Sequence, residues 1–129
     1  MTDLSNRDAS PANADMAALI LRLATGAWFL AHGLTKLLVF TPAGTAGYFQ
    51  SLGLPGALGY LTMVMEIAGG LALIAGIGTR YVALALAGVL LGAAWFGHAA
   101  NGFAFGNPGG GWEYPVLWAV TMLALAALG

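Results

Sequence analysis

The chain contains no cysteine. That excludes disulfide exchange, thiolate ligation of a metal and any dithiol relay carried by the chain itself, so electrons in any redox role must reside on a bound cofactor or a partner. Charge is also scarce. Asp, Glu, Lys and Arg make up 7% of the 129 residues, against roughly a quarter in an average soluble domain. No basic cluster exists and the formal net charge is −1, which argues against nucleic acid or another polyanion as a partner. Residues 1–15 lack the basic start and immediate apolar stretch of a secretory signal. Their Pro, Asn, Asp and Ser content suits a disordered tail, expected to stay on the mature protein.

What the chain has is apolar length. Hydrophobic residues are 60% of it, and a helix crosses a hydrocarbon core of about 30 Å with roughly 20 residues. Residues 16–129 therefore have room for four spans, an all-α, integral membrane four-helix bundle in contact with the lipid bilayer. The first span is expected from Met16 to Phe40, started by Asp15 or Asn13 and ended by Thr41, Pro42 and Gly44. From Ala46 to Leu54, Tyr48, Phe49 and Leu52 fall at helical spacing beside polar residues, which suggests a short interfacial helix. The second span is expected from Gly56 to Ile77, the third from the Gly78-Thr79-Arg80 turn to Ala100, and the fourth from Trp112 to Leu128 after a glycine-rich loop. Four spans put both chain ends on one side, and Arg7, Arg22 and Arg80 fall on that side, so the positive-inside rule makes the termini cytoplasmic.

Small residues recur every fourth position as Ala68, Ala72 and Gly76 and as Gly88 and Gly92. Such faces suit close packing within the bundle or a seam in a homo-oligomer. A weak repeat pairs Trp28-Phe29 before His32 with Trp95-Phe96 before His98, each followed in the next span by one glutamate, Glu66 or Glu113.

Ionisable groups inside a membrane are costly enough to mark function by default. His32 and His98 both fall in the outer part of their spans, Glu66 lies about 15 Å below the outer start of the second, and Glu113 opens the fourth. A polar funnel on the outer half follows from these depths. Lys36, one turn from His32, is expected to snorkel to the outer headgroups while His32 points inward. Glu66 must either carry a proton or be compensated by a cation or donors. Each group also has a plain structural alternative: the histidines as interhelical hydrogen-bond partners, Glu113 as a helix cap, the tryptophans as filler or anchors, and Arg22 as a snorkelling charge. Paired histidines on separate helices also suit haem or a metal.

With these residues placed, the sequence resembles the DoxX family of small four-helix membrane proteins over nearly everything after Met16. The likeness is carried by Leu21-Arg22-Leu23-Ala24, by the run Phe29-Leu30-Ala31-His32-Gly33-Leu34-Thr35-Lys36, by Gly47-Tyr48-Phe49 and by Leu52-Gly53-Leu54-Pro55. It continues through Met65-Glu66-Ile67-Ala68-Gly69-Gly70, Gly78-Thr79-Arg80, His98, Asn101-Gly102-Phe103 and the run from Gly109 to Pro115. The resemblance implies a bacterial or archaeal inner-membrane protein of a family named after a subunit of thiosulfate:quinone oxidoreductase. Other members are linked to membrane redox complexes and oxidative-stress protection. It also implies a second subunit as redox partner.

Together, residues and resemblance lead to a membrane component of a quinone-linked oxidoreductase that binds a quinone or small reductant in an outer-half polar pocket. Glu66, His32 and His98 are its expected catalytic, proton-handling groups. Lys36, Trp95, Asn101, Trp112 and Glu113 are expected to line the ligand, and no metal ligand is assigned. Two alternatives stay open: a non-enzymatic membrane anchor or assembly subunit for a redox partner, and a small-solute carrier.

Overall fold

The computed structural model describes residues 10–129. The expected tail falls largely outside the described residues, at 1–9. The only regular structure among the described residues is helical, with α1 at Pro11–Leu38, α2 at Thr41–Ser51, α3 at Gly56–Ala75, α4 at Thr79–Gly92 and α5 at Glu113–Leu128. At its end α4 widens into a π-helical turn, Ala93–His98, and then tightens into a 3₁₀ turn, Ala99–Asn101. Three helical stretches, Pro11–Leu38, Gly56–Ala75 and Thr79–Asn101, are long and apolar enough to cross a membrane. The fourth, α5, has 16 residues and a length of about 24 Å.

Helix α1 starts five residues earlier than the expected Met16. Ser10, not Asn13 or Asp15, caps it: its hydroxyl accepts from the Asn13 amide at 3.1 Å, and Pro11 opens the helix where its missing N–H costs nothing. Helix α3 stops short of Ile77 because Gly76 adopts the left-handed conformation (φ 77°) that a side chain would oppose.

The segment between the first two spans is the main departure from expectation. Thr41, Pro42 and Gly44 do end α1, but they also start α2 directly: the Thr41 hydroxyl accepts from the Gly44 amide at 3.1 Å and Pro42 sits in the first turn. Thr41 itself has φ 68°, a conformation costly for a β-branched residue. The Thr45 hydroxyl donates back to the Lys36 carbonyl at 3.3 Å, satisfying one of the acceptors that the end of α1 leaves open. Helices α1 and α2 thus form one broken helix laid antiparallel along α3. Glycine makes the approach close. A Cβ on Gly70 would lie 2.7 Å from the Gly26 oxygen, one on Gly33 would lie 3.0 Å from the Ile67 nitrogen, and one on Gly59 would lie 3.1 Å from the Thr45 oxygen.

Tight crossings therefore run through Gly26, Gly33, Gly59 and Gly70. Gly88 and Gly92, from the stripe expected to pack, face open space, with nothing within 4 Å of an added Cβ. A four-residue spacing defines a stripe but not the neighbour it faces. Helices α4 and α5 make the second close pair. The core between the pairs holds Phe29, Leu73, Leu86, Trp118, Met122 and Leu125. In lipid this packing contributes through dispersion and not through burial from water. The start of α1, the α3–α4 turn and Gly129 share one end of the bundle.

Candidate functional site

Where α1 ends, its last turns bring His32 and Lys36 to one side, one turn apart. Gly33 lies between them and packs on α3: its missing Cβ would fall 3.2 Å from the Cβ of Glu66. This close approach puts Lys36 within reach of a carboxylate in the middle of α3. Lys36 Nζ lies 2.7 Å from Glu66 Oε1. Glu66 is 4% exposed, and its Oε1 accepts no well-aligned hydrogen bond, leaving the ammonium as its partner. A carboxyl sealed this deeply is tolerated when it carries a proton or when a counter-charge repays its lost hydration, and Lys36 supplies the counter-charge. The expected snorkelling of Lys36 is thus not what the structure has. The lysine turns inward because the alternative is an uncompensated carboxylate, and its side chain keeps 20% exposure.

His32 does not point into the core. It is exposed at the seam between α1 and α5, its ring centroid 5.1 Å from that of Trp118. Trp118 also packs on Phe29 (4.3 Å) and Tyr114 (5.8 Å), and Tyr114 meets Phe105 (5.3 Å). A ladder of rings therefore leads from His32 along α5 to the loop that precedes it.

The other expected residues gather elsewhere, around that loop. His98, on the π-helical turn, has Nδ1 2.8 Å from the Gly110 carbonyl. A carbonyl only accepts, so Nδ1 carries the proton of this contact and a neutral ring presents Nε2 as an acceptor. Asn101 donates to the same carbonyl at 2.9 Å, and Asn107 donates to the Asn101 carbonyl at 2.9 Å. Glu113 Oε2 accepts from the Phe105 amide at 2.8 Å, so it serves the loop. Gly102, Gly109 and Gly110 all have positive φ, which lets the loop turn tightly enough for these bonds.

Six of the eight expected side chains thus form two groups. His32, Lys36 and Glu66 come together at the α1–α3 crossing. His98, Asn101 and Glu113 are joined through loop backbone, and among the described residues no hydrogen bond or ion pair links the groups. Trp112 stacks edge-on to Phe103 at 4.8 Å, and Trp95 is 73% exposed on the π-helical turn. No three His, Asp or Glu side chains converge among the described residues. Arg22 has in addition a fixed partner: its Nε donates to the Leu73 carbonyl at 3.0 Å, satisfying an acceptor in the last turn of α3.

A family model, DoxX, matches residues 17–99. The chain belongs to the DoxX family. It is similar to "Putative oxidoreductase CatD" of Bacillus subtilis (strain 168), 37% identical over 79 residues, or 61% of this chain and 58% of that protein. It is also similar to "Inner membrane protein YqjF" of Escherichia coli (strain K12), 34% identical over 85 residues, or 66% of this chain and 64% of that protein. The chain spans about three-fifths of the length of these curated relatives. No solved structure matches it. Family membership and the apolar helices make this a membrane protein.

The DoxX match contains His32, Lys36 and Glu66 but ends before Asn101, Glu113 and Trp118. Sequence reasoning missed Trp118 as the ring beside His32, because four tryptophans look alike without a register between α1 and α5. It also passed over Gly33, whose place between His32 and Lys36 was the available signal that this part of α1 approaches another backbone.

Proposed function

We propose that this DoxX-family protein is the membrane component of a quinone-linked oxidoreductase system, and that the Lys36–Glu66 pair with His32 is its proton-handling station. The observation that carries this reading is the buried 2.7 Å ion pair one helical turn from a histidine that opens onto a ladder of aromatic rings. Quinone reduction consumes two electrons and two protons. This cysteine-free chain would leave the electrons to a partner or bound group and supply the protons. The exposed ring of His32, with the buried indole of Trp118 behind it, suits a flat ring arriving from the lipid, with His32 as hydrogen-bond partner to a carbonyl. The similarity to CatD, named "Putative oxidoreductase", supports the same class. In this reading the protein lies in a bacterial or archaeal inner membrane with its termini and Arg80 cytoplasmic, as the arginine distribution indicates.

The experiment is quinone reduction by the protein with its donor and partner, normalised to folded protein in the membrane. Glu66→Gln keeps the shape and removes proton exchange, and is expected to lower the rate by about 10² or more if the carboxyl moves a proton in the limiting step. A rate equal to that of the parent would leave the pair structural. The better reading would then be a non-enzymatic anchor or assembly subunit, which has one observation in its favour: His98, Asn101 and Glu113 all spend their hydrogen bonds on the loop backbone.

A further inference from the structure

The end of the bundle that holds the start of α1 and the α3–α4 turn contains an open cavity of about 570 Å³, whose wall includes Asp15, Arg22, Gly78, Thr79, Arg80 and Tyr81. Two of its three charged side chains are guanidiniums. Asp15 is within 4 Å of neither, since the Lys36–Glu66 pair is the one ion pair among the described residues. Arg22 is held in place by its bond from Nε to the Leu73 carbonyl, which leaves its terminal nitrogens free of protein acceptors among the described residues. Its guanidinium lies flat on the turn, where a Cβ on Gly76 would be 3.0 Å from Nη2. The Arg80 side chain makes no hydrogen bond or ion pair among the described residues, and the residue stands in the first turn of α4, which has no side-chain cap.

A fixed planar donor fork and a second, free one across a polar cavity match a tetrahedral oxyanion with several acceptor oxygens. The surroundings indicate where such a group comes from. Tyr81 is 76% exposed beside Arg80, and Leu23 and Leu84 are 46% and 47% exposed, next to Arg22 and one turn beyond Arg80. That combination, an aromatic anchor and apolar helix surface beside a cavity that holds two guanidiniums and the Asp15 carboxylate, is the environment of a lipid headgroup with its chains lying along the bundle.

We propose that this cavity is a phosphoryl-anion site, with Arg22 and Arg80 as its ligands, that takes the headgroup phosphate of an anionic phospholipid. It is independent of the Lys36–Glu66 site and of the redox reading. The test is native mass spectrometry of the full chain in detergent, titrated with phosphatidylglycerol, with phosphatidylcholine and with inorganic phosphate. Phosphatidylglycerol is expected to bind more tightly than phosphatidylcholine, and Arg80→Gln is expected to weaken it about fivefold, the effect of one cation at a membrane surface. Arg22→Gln also loses the bond to Leu73, so Arg80→Gln, with a melting curve matching the parent, is the deciding variant. Arginine-dependent binding of inorganic phosphate that displaces the lipid would keep the anion site but make free phosphate its source. Equal affinity for the two lipids with no phosphate binding, or a preference unchanged in Arg80→Gln, would overturn the proposal.

Discussion

Replacing Lys36 by methionine tests whether the buried ion pair holds α1 to α3. The variant keeps the stem and volume of the lysine and removes its charge, leaving a carboxylate that is 4% exposed with no other donor on Oε1. Removing one partner of a buried pair costs about 3–5 kcal/mol, and the 20% exposure of the lysine side chain argues for the lower figure, about 3 kcal/mol. Glu66→Gln is the milder change. The lysine left behind is long enough to swing toward the end of α1 and reach water, so a loss of about 1 kcal/mol is expected. The double variant has no stranded charge and should be no worse than Glu66→Gln, giving a coupling energy of about 3 kcal/mol. The assay is reversible unfolding in mixed micelles followed by tryptophan fluorescence and circular dichroism. If the two single losses add to the double within about 0.5 kcal/mol, the side chains are not coupled and the pairing is refuted.

Gly70→Ala drives a methyl against backbone atoms, 2.7 Å from the Gly26 oxygen and 2.8 Å from the Leu30 nitrogen, and should cost about 1–3 kcal/mol in the same unfolding assay. Gly88→Ala meets nothing within 4 Å and should be neutral or stabilising by up to about 1 kcal/mol. Trp118→Ala should lose about 3 kcal/mol or more of stability through the cavity it leaves beside Phe29, whereas Trp95→Ala, 73% exposed, should stay within about 0.5 kcal/mol. For orientation, impermeant thiol reagents added outside intact cells should label Asn107→Cys but not Arg80→Cys in this cysteine-free background; the reverse pattern would invert the proposed topology.

The apolar length, the helix order and the polar character of the loop were legible from composition and spacing alone, because membrane burial imposes them on almost every residue. Pairing was harder to read. Lys36 near a helix end reads as a snorkelling anchor until the break at Thr41 and the approach at Gly33 show that α1 ends beside the middle of α3. His98 and Glu113 read as members of one funnel with Glu66 because depth along a helix fixes the height of a side chain and not the direction in which it leaves the axis. Their partners are backbone groups of the loop, and no side-chain pattern announces a carbonyl such as that of Gly110. Pro42 and Gly44 signalled a boundary correctly, but the signal is symmetric: residues that stop one helix also start another.

The close packing of α1 with α3 and of α4 with α5 has a mechanical consequence. The first pair is locked by glycine-mediated backbone contact and by the ion pair, so it cannot deform gradually. A side-chain core separates the two pairs, and Trp118 straddles it, touching Phe29 and His32 across it. A small rotation of one rigid body against the other would change the spacing of the imidazole and the indole while leaving Lys36 and Glu66 together, since both ride on the same body. The histidine and the ion pair, neighbours in sequence and space, therefore belong to different kinematic classes: one reports the motion of the seam, and the other is carried along by it unchanged.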